Sequence, residues 1–308
     1  MKTADSKSGA AFERVVIGGK RFVVKHFGEP DWLAEASCDD ECRAVSLFEH
    51  GVYDLVADIV DSTVVGAARL SSSGAGRPAA LLMRDASSEL VPEDAPVSVA
   101  AHTEFLDAMA GLHARFWETP PPAVYMDYAV NYDMLSPRRA VDERDRRGDR
   151  SPVLRAVLAG WAGVADTAPA VWALVRDVLQ DPAPLVAALE DGPRTFLHGD
   201  WKMGNMGARR DGRVVIVDWD RPAVGAPLIE VAWYLAVNCD RLPEAKEHAI
   251  ARYWDALEAR GVQTHPWWDR QLDLALLGAF LQLGWSKVGQ PAEFGWWATA
   301  AARGLARL

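Results

Sequence analysis

Two hydrophobic runs stand near the start of the chain. Phe12 to Ile17 and Arg21 to Phe27 flank Gly18-Gly19-Lys20, and a Gly-Gly pair between β-branched runs predicts a hairpin, because primed turns need positive φ. In its second strand the two-residue period puts Val23 and Lys25 on one face. From Asp39 to His50 the period changes, and Val45, Leu47 and Phe48 fit a helix that Gly51 closes. Asp58 to Val65 and Ala79 to Met83 read as further strands of a small sheet, with Ser71 to Gly76 as the loop between them. From His102 onward the pattern is helical: Phe105, Met109, Leu112 and Phe116 recur at spacings of four, three and four and form one apolar face. Arg138 to Arg150, dense in charges of both signs, reads as a solvated loop or loose insertion. Helices are expected again over Leu228–Val237, Pro243–Arg260 and Trp267–Trp285. A small sheet followed by a long helical part is an α+β pattern.

Composition narrows the class. At 308 residues the chain has room for one large or two modest domains with an ample core. A net charge of −10 argues against nucleic acid or an anionic membrane as partner, since both call for a positive field. The first eight residues show no apolar signal-peptide core. Leu272 to Trp285, interrupted by Asp273 and Gln282, is too short to span a bilayer and predicts a buried helix. Cys38, Cys42 and Cys239 are odd in number and lack metal-ligand spacing; Cys38 and Cys42 would share a helix face as plain thiols, which fits a reducing cytoplasm.

The candidate chemistry lies in His198-Gly199-Asp200-Trp201-Lys202-Met203-Gly204-Asn205, followed by the apolar run Val214 to Val217 and then Asp218-Trp219-Asp220. A carboxylate, an amide five residues on and a second carboxylate at the end of a short strand suit phosphoryl transfer. Asp200 can accept the proton of an attacking hydroxyl, while Asn205 and Asp218 offer the hard oxygen ligands that Mg²⁺ on nucleotide phosphates prefers.

These two segments resemble the catalytic and metal loops of the aminoglycoside phosphotransferase-like kinases, relatives of the protein kinases. The resemblance implies a bilobal protein-kinase-like fold: an antiparallel N-terminal lobe with one main helix (residues 1–86) and a larger, mostly helical C-terminal lobe (87–308). It implies Asp200 as base, Asn205 and Asp218 as Mg²⁺ ligands, and His198 as a structural brace. Lys202 departs from many small-molecule members and matches the lysine of the protein-kinase catalytic loop, where it neutralises charge on the phosphoryl group. Lys25 corresponds to the lysine on the α- and β-phosphates, held by a helix glutamate for which Glu41 is preferred, with Glu35, Asp39 and Asp40 as rivals. Leu81 to Ala86 is similar to the hinge that pairs with adenine: Met83 as gatekeeper, the Arg84 carbonyl and Ala86 N–H as contacts, and Val23 packed on the base. Ser6 to Ala10 stands where the phosphate-covering loop belongs, with little chain before it for the usual first strand.

The implied reaction moves the γ-phosphoryl of ATP (or GTP), with Mg²⁺, to a hydroxyl of a small molecule. Only Trp219 to Leu228 separate Asp218 from the next helix, and there is no Ala-Pro-Glu segment, so a peptide-docking activation segment is missing. Trp233, Trp254, Trp267, Trp268, Trp285, Trp296 and Trp297 enrich the C-terminal helices. Core packing accounts for most of them; as a pocket lining they would suit a sugar, nucleoside or macrocycle. Antibiotic inactivation by O-phosphorylation is the favoured function. A metabolic kinase for a sugar, amino sugar, choline or homoserine, and a regulatory nucleotide-binding pseudokinase, are the alternatives.

Overall fold

A computed structural model describes residues 11–28, 32–69, 78–148, 151–209 and 211–308. The described chain opens with the hairpin β1 (Ala11–Ile17) and β2 (Lys20–Phe27). After it come short helices α1 (Trp32–Ala36), α2 (Arg43–Glu49) and α3 (Val52–Leu55), and strands β3 (Val60–Asp61), β4 (Val64–Arg69) and β5 (Ala79–Arg84). Then α4 (Val99–Arg115), α5 (Tyr128–Asp133), α6 (Pro137–Arg147), α7 (Pro152–Thr167), α8 (Pro169–Gln180) and α9 (Ala183–Glu190) lead to the short strands β6 (Thr195–Leu197), β7 (Met206–Ala208), β8 (Val214–Ile216) and β9 (Ala223–Gly225). Helices α10 (Pro227–Val237), α11 (Lys246–Glu258), α12 (Trp268–Leu283) and α13 (Pro291–Leu305) complete the fold.

Among the described residues β1, β2, β5 and β4 form one antiparallel sheet in the order β1-β2-β5-β4. Gly18 and Gly19 turn its hairpin with φ of 57° and 77°, the left-handed backbone that glycine adopts without strain. The register sets Val23 opposite Met83 and Lys25 opposite Leu81, so these four side chains share a face. Cys42, Ala44 and Val45 at the start of α2 pack on Leu81 and Met83 there. The larger core is built around α4, α10 and α12, where Leu106, Leu112, Leu228, Leu235, Leu277 and Phe280 are fully buried. Trp233, Trp268 and Trp297 are buried, and Trp254, Trp267, Trp285 and Trp296 pack half-buried against the same core. No helix of the described residues is long and apolar enough to cross a membrane.

Three segments of the sequence read differently in the structure. Asp58–Val65 is not one strand, because Thr63 at φ 64° breaks it into β3 and β4; β3 leaves the N-terminal sheet and pairs in parallel with β8. Helix α2 starts at Arg43 rather than near Asp39, since Cys38 and Cys42 both sit at φ 54°; neither thiol is on a helix face, and Cys38 is exposed while Cys42 is buried. The charged stretch after Arg138 is largely helical. Ser136 caps α6 by accepting from the Arg139 N–H at 3.1 Å, Pro137 occupies the first turn, and Glu143, buried, pairs with Arg146 and Arg147 one turn on. Ser6–Ala10 and the loop Ser71–Gly76 lie outside the described residues.

The crossing of β3 is fixed by Asp61. Its Oδ2 accepts from Arg84 at 2.9 Å and from Arg209 at 2.6 Å, and its Oδ1 accepts from the Thr63 N–H at 2.8 Å. Partial burial works against the charge, but these bonds and the two guanidiniums hold the carboxyl below its ordinary range. A lowered carboxylate stabilises the fold above its unfolded value and loses that contribution as pH falls through the folded one. Asp61→Asn should therefore cost about 1–3 kcal/mol at pH 7, and the gap to wild type should shrink below about pH 4; denaturant titrations at pH 7 and pH 3 measure both.

Candidate active site

Strand β6 delivers the backbone to a tight loop. Gly199 stands at φ 82°, and a Cβ there would collide with the Arg221 carbonyl, so only glycine lets the two loops meet. Glu230 on α10, buried, holds this loop by its backbone: its Oε1 accepts from the Gly199 N–H at 2.6 Å and its Oε2 from the His198 N–H at 3.2 Å. Its Oε2 also lies 3.0 Å from Nε2 of His113, whose Nδ1 meets the Tyr253 hydroxyl at 2.6 Å. His198 is fully buried, edge-on to Trp219 with ring centroids 4.5 Å apart, and its Nδ1 accepts from the Asp200 N–H at 3.2 Å. Burial pushes its pKa down, which keeps the ring neutral. Asn238 Oδ1 accepts from the Met203 N–H at 2.9 Å and steadies the far end of the loop.

Asp200 is thereby presented with a fixed orientation. Its Oδ2 accepts from Lys202 Nζ at 2.6 Å and from Asn205 Nδ2 at 3.0 Å, while its Oδ1 is buried without a partner. Burial alone would raise its pKa, but the charges of Lys202 and Arg221 hold it below the ordinary carboxylate range. The Asn205 amide nitrogen also donates to the Asp200 carbonyl at 3.0 Å, which leaves its oxygen for a cation. The Asn205 carbonyl accepts from the Val217 N–H at 2.9 Å and joins this loop to the next.

That next loop carries Asp218 at φ 68°, on a backbone fixed by Trp219, whose Nε1 donates to the Ile216 carbonyl at 2.9 Å. Lys25 arrives from the N-terminal sheet, 3% exposed, with Nζ 2.8 Å from Asp218 Oδ1 and 2.5 Å from Asp220 Oδ2. The ammonium also lies 5.2 Å from the Phe27 ring and 6.0 Å from that of Phe12. Burial pulls the Lys25 pKa down, and the two carboxylates more than reverse this. The same pair drives its acids apart: Asp218 is pulled below the ordinary range against its burial by Lys25 and Lys202, and Asp220 is pushed up to about 7 by burial and the charge of Asp218.

The structure thus brings together Lys25, Asp200, Lys202, Asn205 and Asp218. It does not bring Glu41 to Lys25. Glu41 is exposed just before α2, and its carbonyl accepts from Arg69 at 2.8 Å. Its neighbour Asp39 turns inward instead, with Oδ1 2.9 Å from the Arg43 N–H. At the hinge, Val23 and Met83 are cross-strand partners on the Lys25 face, and Ala86 is buried. The Arg84 side chain pairs with Glu89 and Asp61, and the Ala86 carbonyl accepts from the Glu89 N–H at 2.8 Å. Asp220, Arg221, Glu230 and Asn238 are site residues that motif reading passed over. Asp220 was signalled by its place in Asp218-Trp219-Asp220, and Glu230 only by being an acid inside an otherwise apolar helix.

Hard oxygens on Asp218 and Asn205, with an unpartnered buried oxygen on Asp200 beside them, form a donor set that fits a divalent cation and its phosphate ligands. The arrangement depends on Glu230. Glu230→Ala would leave two backbone donors and a histidine without their acceptor in the core, and should cost about 3–5 kcal/mol of stability by denaturant titration.

No curated protein matches the chain. Among solved structures, choline kinase LicA from Streptococcus pneumoniae superposes with a TM-score of 0.50 at 13% identity, over 96% of this chain and 90% of that one. A microcompartment-associated aminopropanol kinase gives 0.50 at 12% identity, over 97% and 91%. A thermostable mutant of aminoglycoside phosphotransferase APH(4)-Ia, in ternary complex with AMP-PNP and hygromycin B, gives 0.50 at 17% identity, over 100% and 93%. These likenesses identify the fold as that of the kinase-like phosphotransferases. The family model described as "Phosphotransferase enzyme family" matches residues 6–268. With the loops of Asp200 and Asp218 inside that match, the chain belongs to the phosphotransferase enzyme family.

Proposed function

We propose that the protein transfers the γ-phosphoryl group of ATP (or GTP) to a hydroxyl of a small molecule, in a cleft between residues 1–86 and 87–308. The observation that carries this reading is the Asp200 carboxylate, held on one oxygen by Lys202 and Asn205 and bare on the other, beside an Asp218 joined to Lys25. In the proposed reaction the bare oxygen orients the acceptor hydroxyl and takes its proton as the hydroxyl oxygen attacks the γ-phosphorus in line, breaking its bond to the bridging oxygen so that ADP (or GDP) leaves. Lys202, one third exposed, faces the cleft and neutralises charge on the transferring group. Lys25 holds the α- and β-phosphates, and Asn205 and Asp218 would hold Mg²⁺. Bound there, the ion neutralises the phosphate oxygens and fixes their geometry. Val23 and Met83 would line the base site, with the backbone of Arg84 and Ala86 at its edge.

The acceptor we propose is a hydroxyl-bearing antibiotic. APH(4)-Ia, of the same fold, is seen with hygromycin B. The choline and aminopropanol kinases among the similar structures make a metabolic amino alcohol the second acceptor class to test. Trp219 to Ala226 are all that separates Asp218 from α10, which leaves no room for a peptide-docking segment.

Mg²⁺-dependent ADP or GDP release, measured across hydroxyl-bearing antibiotics, choline, aminopropanol and sugars, should reveal one productive acceptor. Asp200→Ala should lower its kcat by about 10²- to 10⁴-fold with nucleotide binding retained; a variant keeping a tenth of wild-type turnover would refute the base. Asp218→Ala should instead abolish Mg²⁺-dependent nucleotide binding, read by calorimetry.

A further inference from the structure

Lys25 must be held in place to meet phosphates, and the acids near it are engaged differently from one another. Glu35 on α1 pairs with Arg146, at 3.2 Å, and with Arg147, both on α6. The Asp39 carboxylate accepts from the Arg43 N–H and lies 3.8 Å from the Arg43 guanidinium. Glu41 and Asp40 are exposed to solvent. The buried side chain that opens α2 is a cation: Arg43 is 2% exposed, and its Nη2 donates to the Ser37 carbonyl at 2.5 Å and the Cys38 carbonyl at 3.0 Å. Its Nε and Nη1 are buried without hydrogen-bond partners. On the helix side Asp39 feels the charge of Lys25 only at a distance and is engaged by Arg43 in the first turn of α2, so among the described residues no acid there is in contact with the lysine.

The opposite wall supplies the carboxylate. Asp220 Oδ2 is 2.5 Å from Lys25 Nζ, closer than Asp218 Oδ1 at 2.8 Å, and Asp220 Oδ1 is buried without a partner. Trp219, buried between the two acids, fixes the backbone that carries both. In the proposed reaction Asp218 would hold the cation. One carboxylate then remains on Lys25, and it comes from the metal loop.

We infer that Asp220, in place of a glutamate on α2, is the residue that positions Lys25 for the nucleotide phosphates. This rests on the proposed phosphotransfer. It also gives the acid two residues after Asp218 a task of its own: with Asp218 engaged by the cation, Asp220 is the protein carboxylate left in contact with Lys25, and it fixes where the ammonium meets the phosphates.

The test is calorimetric titration of wild type and variants with ATP, with and without Mg²⁺, alongside steady-state kinetics and denaturant unfolding. Asp220→Asn should weaken ATP binding by about 30-fold and raise the KM for ATP while leaving the KM for the acceptor unchanged, a split that general loosening of the fold would not produce. Asp220→Glu, which keeps the charge, should recover part of the affinity and guards against a misfolded amide variant. Glu41→Gln should stay within about twofold of wild type. Wild-type binding that survives Asp220→Asn but falls tenfold or more in Glu41→Gln would overturn the inference and leave phosphotransfer standing. A wild type that binds no nucleotide at all would overturn both.

Discussion

The buried carboxylate of Glu230 is the constraint on which the site is built. A buried carboxyl group is tolerated only when its oxygens are hydrogen-bonded, and here the partners are the His198 and Gly199 N–H groups and the imidazole of His113. Those two amides belong to the loop that ends in Asp200. The cost of burying Glu230 is therefore offset only when that loop has one conformation, and the orientation of the Asp200 carboxylate follows from it. Because Glu230 is carried by α10, and α10 packs against α12, the Asp200 loop is tied directly to the helical core.

A second ionic contact joins this unit to the N-terminal sheet. Lys25 is the central cation of the β2 face, and its partners lie on the loop after β8. Removing a lysine from water is unfavourable unless the charges it meets are close and well aligned, so the sheet has a strong preference for docking where Asp218 and Asp220 are. Asp61 fixes the other edge of the same junction, since Arg84 from the sheet and Arg209 from the helical part share its carboxylate. Together they fix how the sheet meets the helical part.

Much of this was legible in the sequence because it is local. The Gly18-Gly19 hairpin, the spacing from Asp200 to Asn205 and the apolar face of α4 are each written within a few neighbouring positions. What was hidden depends on backbone conformation and burial that residue types alone do not report. Glu41 occupies the expected place by count, but the left-handed backbone at Cys38 and Cys42 rotates the segment, so that Asp39 and Arg43 turn inward and Glu41 outward. Positive φ at non-glycine residues leaves little trace in the sequence. The charged stretch after Arg138 misled for a related reason. Its composition is that of a solvated loop, while Ser136 at the cap and Glu143 one turn from its arginines make it a helix.

The Asp218-Trp219-Asp220 segment shows how a short connection can replace a long one. A regulated kinase positions its phosphate lysine through a helix whose placement can be switched. In this chain the lysine's contacts are with the Asp218–Asp220 loop itself, a loop fixed by a buried tryptophan and followed closely by α10. A lysine held from the loop does not report the position of α2, and α2 is free to bury a cation, Arg43, on the backbone carbonyls that precede it. Geometry of this kind has one arrangement rather than two, so in the proposed reaction activity would be set by the arrival of nucleotide and acceptor and by no conformational switch in the helix.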